Sequence, residues 1–436
     1  MCTKHFRLSV LTLGLAAAFS ASAQTSDADR LKALEAKFGQ SLAVIEQLQK
    51  RIGELEQGKT GAAASPAASA VVSRVETLEK SVTELATSAS KGSTDVGLPL
   101  HGFLDTGYAS ASGTPPAYDK SGFRLGTFDI YLTPQFSDRV KGLVELAFEY
   151  GADGGLGTDL ERLQLGYVVN DNLTLWAGRF HTPYGYWNTA FHHGAQIQTS
   201  ITRPRMIAFE DQGGILPSHT VGAWATGKFD SSLGRVNYDL FAGNSDSMRD
   251  GTLDYNASGY NNGTPSMGIN VGLSPKAIPG LTVGLHAVSE KINSYDALDT
   301  LNGQSTLQVA GAYAFYESDN WELIAEYYNF SNQDHFGKTG THNSTAGFVQ
   351  AGLQVANRTT AFARYEKADL NKQDPYFSLM SNGVSSFGSS YNQSTVGLRY
   401  DLDPRSALKL QLEQITDDGN AGQTVNWVRA QYSVRF

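Results

Sequence analysis

From Leu98 to Phe436, apolar and polar residues alternate in segments of roughly ten, each bounded by turn-forming residues. Period two marks a strand with one wet face and one apolar face. Sixteen such segments are read at 98–110, 123–136, 140–151, 158–170, 173–185, 219–230, 234–245, 266–275, 281–292, 306–318, 321–333, 345–356, 359–370, 393–402, 406–416 and 424–436. The faces separate cleanly. Val144, Leu146, Phe148 and Tyr150 share one side, opposed by Glu145 and Glu149. Leu408, Leu410 and Leu412 oppose Lys409, Gln411 and Glu413, and Val396, Leu398 and Tyr400 oppose Arg399. Charges on one face of so many strands require water on that side. The predicted class is therefore all-β, a 16-stranded antiparallel transmembrane β-barrel with a polar lumen.

The connections sharpen this reading. Ser137-Asp138-Arg139, Asn170-Asp171-Asn172, Ser318-Asp319-Asn320, Ala356-Asn357-Arg358 and Asp403-Pro404-Arg405 are short turns. They alternate with mostly longer connections rich in Gly, Asn, Ser and Asp, among them 186–218, 246–265 and 371–392. Short turns on one rim and long loops on the other are the arrangement of outer-membrane barrels, whose even strand number leaves both barrel ends on the periplasmic side. A soluble sandwich has no reason to sort its loops. Phe136, Tyr167, Trp321, Phe330 and Tyr432 sit near strand ends, where aromatic girdles meet the lipid interface.

A different period precedes the strands. Leu31, Leu34, Phe38, Ile45, Leu48, Ile52 and Leu55 recur in steps of three and four, with Ser41 at the one polar seam position. After an Ala/Ser linker containing Pro66, a weaker register runs Val75, Leu78, Val82 and Leu85. An α-helical coiled-coil stalk with its linker is predicted over 24–97, and a trimer suits it. Further upstream, Lys4 and Arg7 precede the apolar run Leu8 to Phe19, and Ala21-Ser22-Ala23 follows it. This is the layout of a signal peptide over 1–23, with 98–436 as the barrel domain.

Composition then removes alternatives. The mean hydropathy of -0.28 is too low for a bundle of membrane helices. At 41% hydrophobic and 18% charged, with 20 Tyr and 21 Phe, the chain is too apolar for disorder. The formal charge of -9 becomes -11 once Lys4 and Arg7 are removed, so there is no basic footprint and nucleic acid is not a partner. The sole cysteine, Cys2, falls in the signal, which excludes disulfides and thiol chemistry in the exported chain.

The last strand carries Val428, Ala430, Tyr432, Val434 and Phe436 at every second position, with Phe436 final. It resembles the C-terminal strand of Gram-negative outer-membrane proteins. That resemblance makes Tyr432 and Phe436 an assembly signal read by the barrel assembly machinery. With the sorted loops, 98–436 looks like a bacterial porin, and more loosely like the phosphate-selective-type porins, some of which carry an N-terminal coiled coil. The implied location is the outer membrane of a Gram-negative bacterium, in contact with lipid and lipopolysaccharide, with the stalk in the periplasm. The implied activity is passive diffusion of small hydrophilic solutes or ions, selected by size and electrostatics.

In porins the loop after the fifth strand folds inward, and here that loop is 186–218. The candidate constriction is Arg179, His181, Tyr184, Tyr186, Trp187, His192, His193, Arg203, Arg205, Glu210 and Asp211. Guanidinium groups facing carboxylates across a narrow aqueous gap set up a transverse field that filters ions. Arg162, Arg364, Arg399 and Arg429, with Glu145, Glu149, Glu322, Glu326 and Glu366, are the wall candidates. The bland alternative is that these charges pair and merely pin the loop. Tyr184, Tyr186 and Trp187 read either as a stacking rail for sugars or, more simply, as residues packing on the wall. His181, His192, His193 and His219 lack a spacing that places a carboxylate among them, so no metal and no cofactor is expected. Asp153 and Asp159 offer Ca²⁺ bridges to lipopolysaccharide but read equally as a solvated loop.

Three function classes follow. The first is the diffusion channel, whose narrower form selects anions such as phosphate or dicarboxylates, or sugars. The second is an envelope tether, with the stalk on the cell wall. The third is an enzyme, which the sequence disfavours: Ser218 and His219 are neighbours on a strand and point to opposite faces, so they make no dyad and no catalytic residue is assigned.

Overall fold

The computed structural model describes residues 100–113, 121–150, 156–191, 194–209, 213–254, 262–337, 340–382 and 387–436. The expected signal peptide and stalk lie outside these residues, as do Asp153, His192, His193, Glu210 and Asp211.

The barrel strands are β1 (Leu100–Ser112), β2 (Gly122–Leu132), β3 (Val140–Tyr150), β4 (Leu156–Asn170), β5 (Leu173–His181), β6 (His219–Asp230), β7 (Gly234–Gly243) and β8 (Ser266–Pro275). They continue with β9 (Leu281–Tyr295), β10 (Leu301–Glu317), β11 (Trp321–Asp334), β12 (Gly340–Ala356), β13 (Thr359–Asp369), β14 (Tyr391–Asp403), β15 (Ser406–Asp417) and β16 (Gln423–Arg435). Each pairs antiparallel with the next, and β16 returns to β1 from Phe103↔Arg435 to Ser112↔Asn426. The Phe436 backbone extends this seam, accepting from Gly102 N at 3.1 Å and donating to Gly102 O at 3.0 Å. The Phe436 ring lies over Gly102, where an added Cβ would come within 2.3 Å of it, so only glycine leaves room for the last aromatic. The sixteen-strand ring has no free edge. All sixteen predicted segments are strands.

Side chains are sorted inside out relative to a soluble barrel. On β15, Leu408, Leu410 and Leu412 are 45%, 47% and 47% exposed, whereas Lys409, Gln411 and Glu413 are 4%, 0% and 4% exposed. The same holds around the ring, with Leu104, Leu125, Leu165, Leu175, Leu240, Leu285, Val349 and Val396 all outward and exposed. A continuous apolar belt of this size belongs in lipid. Phe136, Tyr167, Trp321 and Tyr432 lie on this outer side. Phe330 does not: it is buried inside, with its ring 5.3 Å from that of Phe377.

Some boundaries differ for local reasons. β5 stops at His181, not 185, because Pro183 has no N–H to give and Gly185 has φ +62°. β9 and β10 run on to Tyr295 and from Leu301, through Ser, Asn and Gln residues whose polarity on both faces hides the strand. Within 246–265 a short hairpin, Ser247–Arg249 with Thr252–Asp254, adds parallel to Asn293–Tyr295. In β4 a register shift opposite Glu145 and Leu146 turns Glu161 and Arg162 inward together, between outward Leu160 and Leu163.

The lumen is partly filled. Met206, Ile207, Ile215 and Leu216 of the loop between β5 and β6 and Met248 and Leu253 of the hairpin enter one apolar cluster. Tyr376, Phe377 and Met380 of the helix Pro375–Asn382 join it, against Phe241, Ile292, Phe330 and Phe348 on the inner wall. Asp374 holds that helix. Its carboxylate accepts from Tyr376 N at 3.0 Å and from Asn332 Nδ2 on β11 at 2.8 Å. Burial pushes the Asp374 carboxyl up despite those two hydrogen bonds.

Leu410 lies mid-strand, opposite Leu398 and Ala430. Leu410→Arg is expected to lower folding stability in vesicles by about 2–4 kcal/mol, read from denaturant titration. A neutral outcome would place this face in water.

Candidate functional site

Strand β5 ends and β6 begins directly opposite each other at His181 and His219, so the 182–218 loop leaves and rejoins the wall at one point. Thr182 N continues the ladder to Ser218 O at 2.8 Å, and Thr182 Oγ1 bonds Thr220 Oγ1 at 2.8 Å. Beyond this neck the chain turns inward. A single helical turn, Trp187–Ala190, seats its start on Glu326 of β11, whose carboxylate accepts from Tyr186 N at 3.1 Å and Trp187 N at 2.6 Å. Asn270 Nδ2 on β8 donates to Gly185 O at 3.1 Å.

The loop then runs along the wall of β13–β15, where inward polar side chains grip its backbone and its Ser and Thr hydroxyls. On β14, Arg399 Nη1 donates to Gln196 O at 2.7 Å and Gln198 O at 2.8 Å. On β15, Lys409 Nζ donates to Ala195 O and, at 3.1 Å, to Ser200 O. Gln411 accepts from Ile201 N at 2.7 Å and donates to Thr202 Oγ1 at 2.7 Å. Thr199 Oγ1 donates to Glu322 at 2.9 Å, and Thr202 Oγ1 to Glu413 at 3.0 Å.

Arg364 on β13 is the hub. Its guanidinium bonds Glu366 at 2.7 Å, Ser200 Oγ at 3.0 Å, Thr202 O at 2.8 Å, Gln350 Oε1 at 3.2 Å and Arg203 O at 3.1 Å. Nη2 also donates to Thr202 Oγ1 at 3.1 Å, so the rigid planar fork shares its five donors among six acceptors.

The predicted residues fall into four groups. Arg203 and Arg205 are anchors. Arg203 donates to Ile207 O at 2.9 Å and Asn188 Oδ1 at 3.1 Å and covers Phe209, whereas Arg205 pairs with Asp417, covers Tyr391 and gives its N–H to Glu366 at 2.6 Å. Tyr184 and Trp187 are buried, and Tyr186 stacks on Phe315 at 4.2 Å, so these aromatics pack on the wall. Arg179 and His181 lie at the neck, where Arg179 Nε donates to Glu161 O at 3.1 Å and His181 faces Glu145 at 3.4 Å. Glu149 sits higher on β3, opposite Gly157.

The fourth group is the paired wall charges. Arg162 bonds Glu145, Arg399 bonds Asp401 at 2.8 Å, and Arg429 bonds Glu413 at 3.0 Å. In two of these pairs the guanidinium is the more exposed member, whereas in the third Arg399 is 12% and Asp401 35% exposed. The Arg162 side chain is 23% exposed over a Glu145 side chain at 0%, and the Arg429 side chain 13% over a Glu413 side chain at 1%. In the Arg162 and Arg429 pairs the carboxylate is beneath and the guanidinium is nearer the water.

Several contributors carry no local sequence signal for their role. Lys409, Gln411 and Glu413 were placed on the inner face by alternation, but nothing local showed that a loop would reach them. Glu161 was missed because the bulge breaks period two. The signal for it is the three-residue step from Leu160 to Leu163 around two charged residues.

No family model and no curated relative matches the chain. Solved structures do. An anion-selective porin from Comamonas acidovorans superposes with TM-score 0.52 at 15% identity, over 77% of this chain and 98% of that one. The outer-membrane channel DcaP of Acinetobacter baumannii gives 0.53 at 13%, over 77% and 96%. The in-vitro folded trimer form of OmpT from Vibrio cholerae gives 0.51 at 11%, over 77% and 98%. The barrel has the porin fold. At these identities the likeness is one of architecture, and it matches the closed sixteen-strand ring described above.

Arg364→Ala leaves Glu366 buried without its guanidinium and frees the loop backbone at 200–203. The expected results are a loss of about 3–5 kcal/mol and larger, noisier single-channel currents, with Arg364→Lys intermediate. Unaltered currents would mean the loop holds its place without this hub.

Proposed function

We propose that the chain is an outer-membrane porin, a passive diffusion channel for small hydrophilic solutes and ions, narrowed by the 182–218 loop. The observation that carries the reading is the loop itself. It leaves the wall at β5 and is bonded to β8, β11, β13, β14 and β15, so it crosses the lumen at membrane depth. The apolar cluster closes the β7–β13 side to water. The aqueous passage then runs between the loop and the inner wall of β16 and β1–β4, past Asp105, Arg124, Arg162 and Arg429. Solutes pass down their gradient with no turnover and no chemistry.

The channel prefers anions. Net charge argues the other way, but permeating ions meet the charges at the passage surface and not the sum over the chain. The layered pairs Arg162 over Glu145 and Arg429 over Glu413 put the guanidinium nearer the water. The solved porin from Comamonas acidovorans is named as anion-selective, which agrees with this reading and does not establish it. Arg203 and Arg205, engaged in anchoring, contribute less to selectivity than Arg162 and Arg429. The assembled state is a trimer, supported by the trimer form named for the Vibrio cholerae channel and by the predicted stalk.

Planar-bilayer recording of the purified, folded protein tests both parts. Steady ohmic conductance is expected, with a reversal potential in a KCl gradient on the chloride side. Arg429→Ala uncovers Glu413 and is expected to move that potential toward potassium. Absence of conductance would end the channel reading, and an unmoved potential would remove Arg429 from the passage.

A further inference from the structure

At the neck of the loop the fold gathers four ligand-type side chains from four adjacent strands. His181 closes β5, His219 opens β6 directly across from it, and Glu161 and Glu145 come from β4 and β3. All four are buried. His219 Nε2 lies 2.6 Å from Glu161 Oε2, and His181 Nε2 lies 3.4 Å from Glu145 Oε2. One ligand atom from each of Glu161, His181 and His219 falls within 4.8 Å of the others. We propose that Glu161, His181 and His219 bind one divalent transition-metal ion of the zinc class, with Glu145 as the fourth donor.

The donor set points to the ion. Two imidazoles with carboxylates are borderline ligands that suit zinc or its first-row neighbours, whereas calcium and magnesium demand oxygen alone. The two rings sit with centroids 5.4 Å apart and planes at 71°, so their nitrogens converge without stacking. A tetrahedral ion needs ligand atoms closer together than 4.8 Å, a contraction that side-chain rotation on neighbouring strands supplies. Phe209, from within the loop, lies parallel to the His219 ring at 6.3 Å and covers that side of the cluster.

Position gives the ion its consequence. His181 and His219 are the two stems of the 182–218 loop, so one ion bolts the root of the constriction to β3 and β4. Two cations border the cluster: Arg179, whose Nε is held by the Glu161 main-chain oxygen at 3.1 Å, and Arg162, which bonds the Glu145 carboxylate. An ion that takes Glu145 competes with Arg162 and releases its guanidinium toward the lumen. Metal binding and the charge of the passage are therefore coupled.

Titrating the metal-stripped, folded full chain with Co²⁺ tests the proposal, because four-coordinate cobalt absorbs visibly far more strongly than six-coordinate cobalt. One equivalent giving the strong band is expected. His219→Gln and Glu161→Gln should each lose it, while His101→Gln, at an exposed position on β1, keeps it. Only the weak six-coordinate spectrum, or a strong band that survives in His219→Gln, overturns the site. If a variant does not fold, the wild-type chain still decides: Zn²⁺ raises its unfolding midpoint if the neck is bolted, and an unchanged midpoint overturns the proposal.

Discussion

Lipid offers no hydrogen bonds, so every backbone donor and acceptor in the membrane must find its partner within the sheet. The β1–β16 pairing satisfies that demand, and the rest of the structure follows from it. Once the ring is closed, period two forces half of every strand outward and half inward. The outward half meets hydrocarbon and becomes Leu, Val, Phe and Tyr. The inward half is left to do something else, and here it supplies a wall of Arg, Glu, Gln and Lys. A composition that looks soluble is the direct result of giving only one face per strand to lipid.

That inner wall is used mainly to hold other chain segments. Arg364, Arg399, Lys409 and Gln411 all bond the backbone or short side chains of residues 195–203. This is how an irregular loop survives at membrane depth: its peptide groups, which water would otherwise satisfy, are met by charged side chains whose own desolvation is offset by several hydrogen bonds each. On the other side of the lumen, the loop, a hairpin and a short helix bury apolar residues together. The interior thus has a dry half built on packing and a polar half built on hydrogen bonds. The proposed passage lies between the loop and the wall of β16 and β1–β4.

The barrel was legible in the sequence because the strand signal repeats sixteen times, with short turns and long loops alternating between the strands, and errors at single positions do not accumulate. The termini of β9 and β10 were not, since Asn293, Ser294 and Gln304 are polar on both faces where the ladder rises beyond the apolar belt. Individual roles were harder. Alternation puts Arg162 and Arg429 on the inner face, but which member of an ion pair meets water depends on cross-strand register and on the bulge at Glu161. Arg203 and Arg205 look like filter charges in sequence, yet anchoring to Ile207 O and Asp417 depends on how the loop packs, which no local pattern records. Phe330 failed as a girdle residue for a similar reason: a strand-end aromatic and an inward aromatic that meets a loop helix have the same neighbours in sequence.

The central claim is that an aqueous passage runs along the β3–β4 wall past Arg162. Apart from Cys2 the chain has no thiol, so Arg162→Cys is a unique target in the exported barrel. Current through single channels recorded while a negatively charged thiosulfonate is added should fall in discrete steps, with anion preference reduced as each subunit is modified. Currents that ignore the reagent, while the same cysteine reacts in the unfolded chain, would contradict the account and place the passage elsewhere.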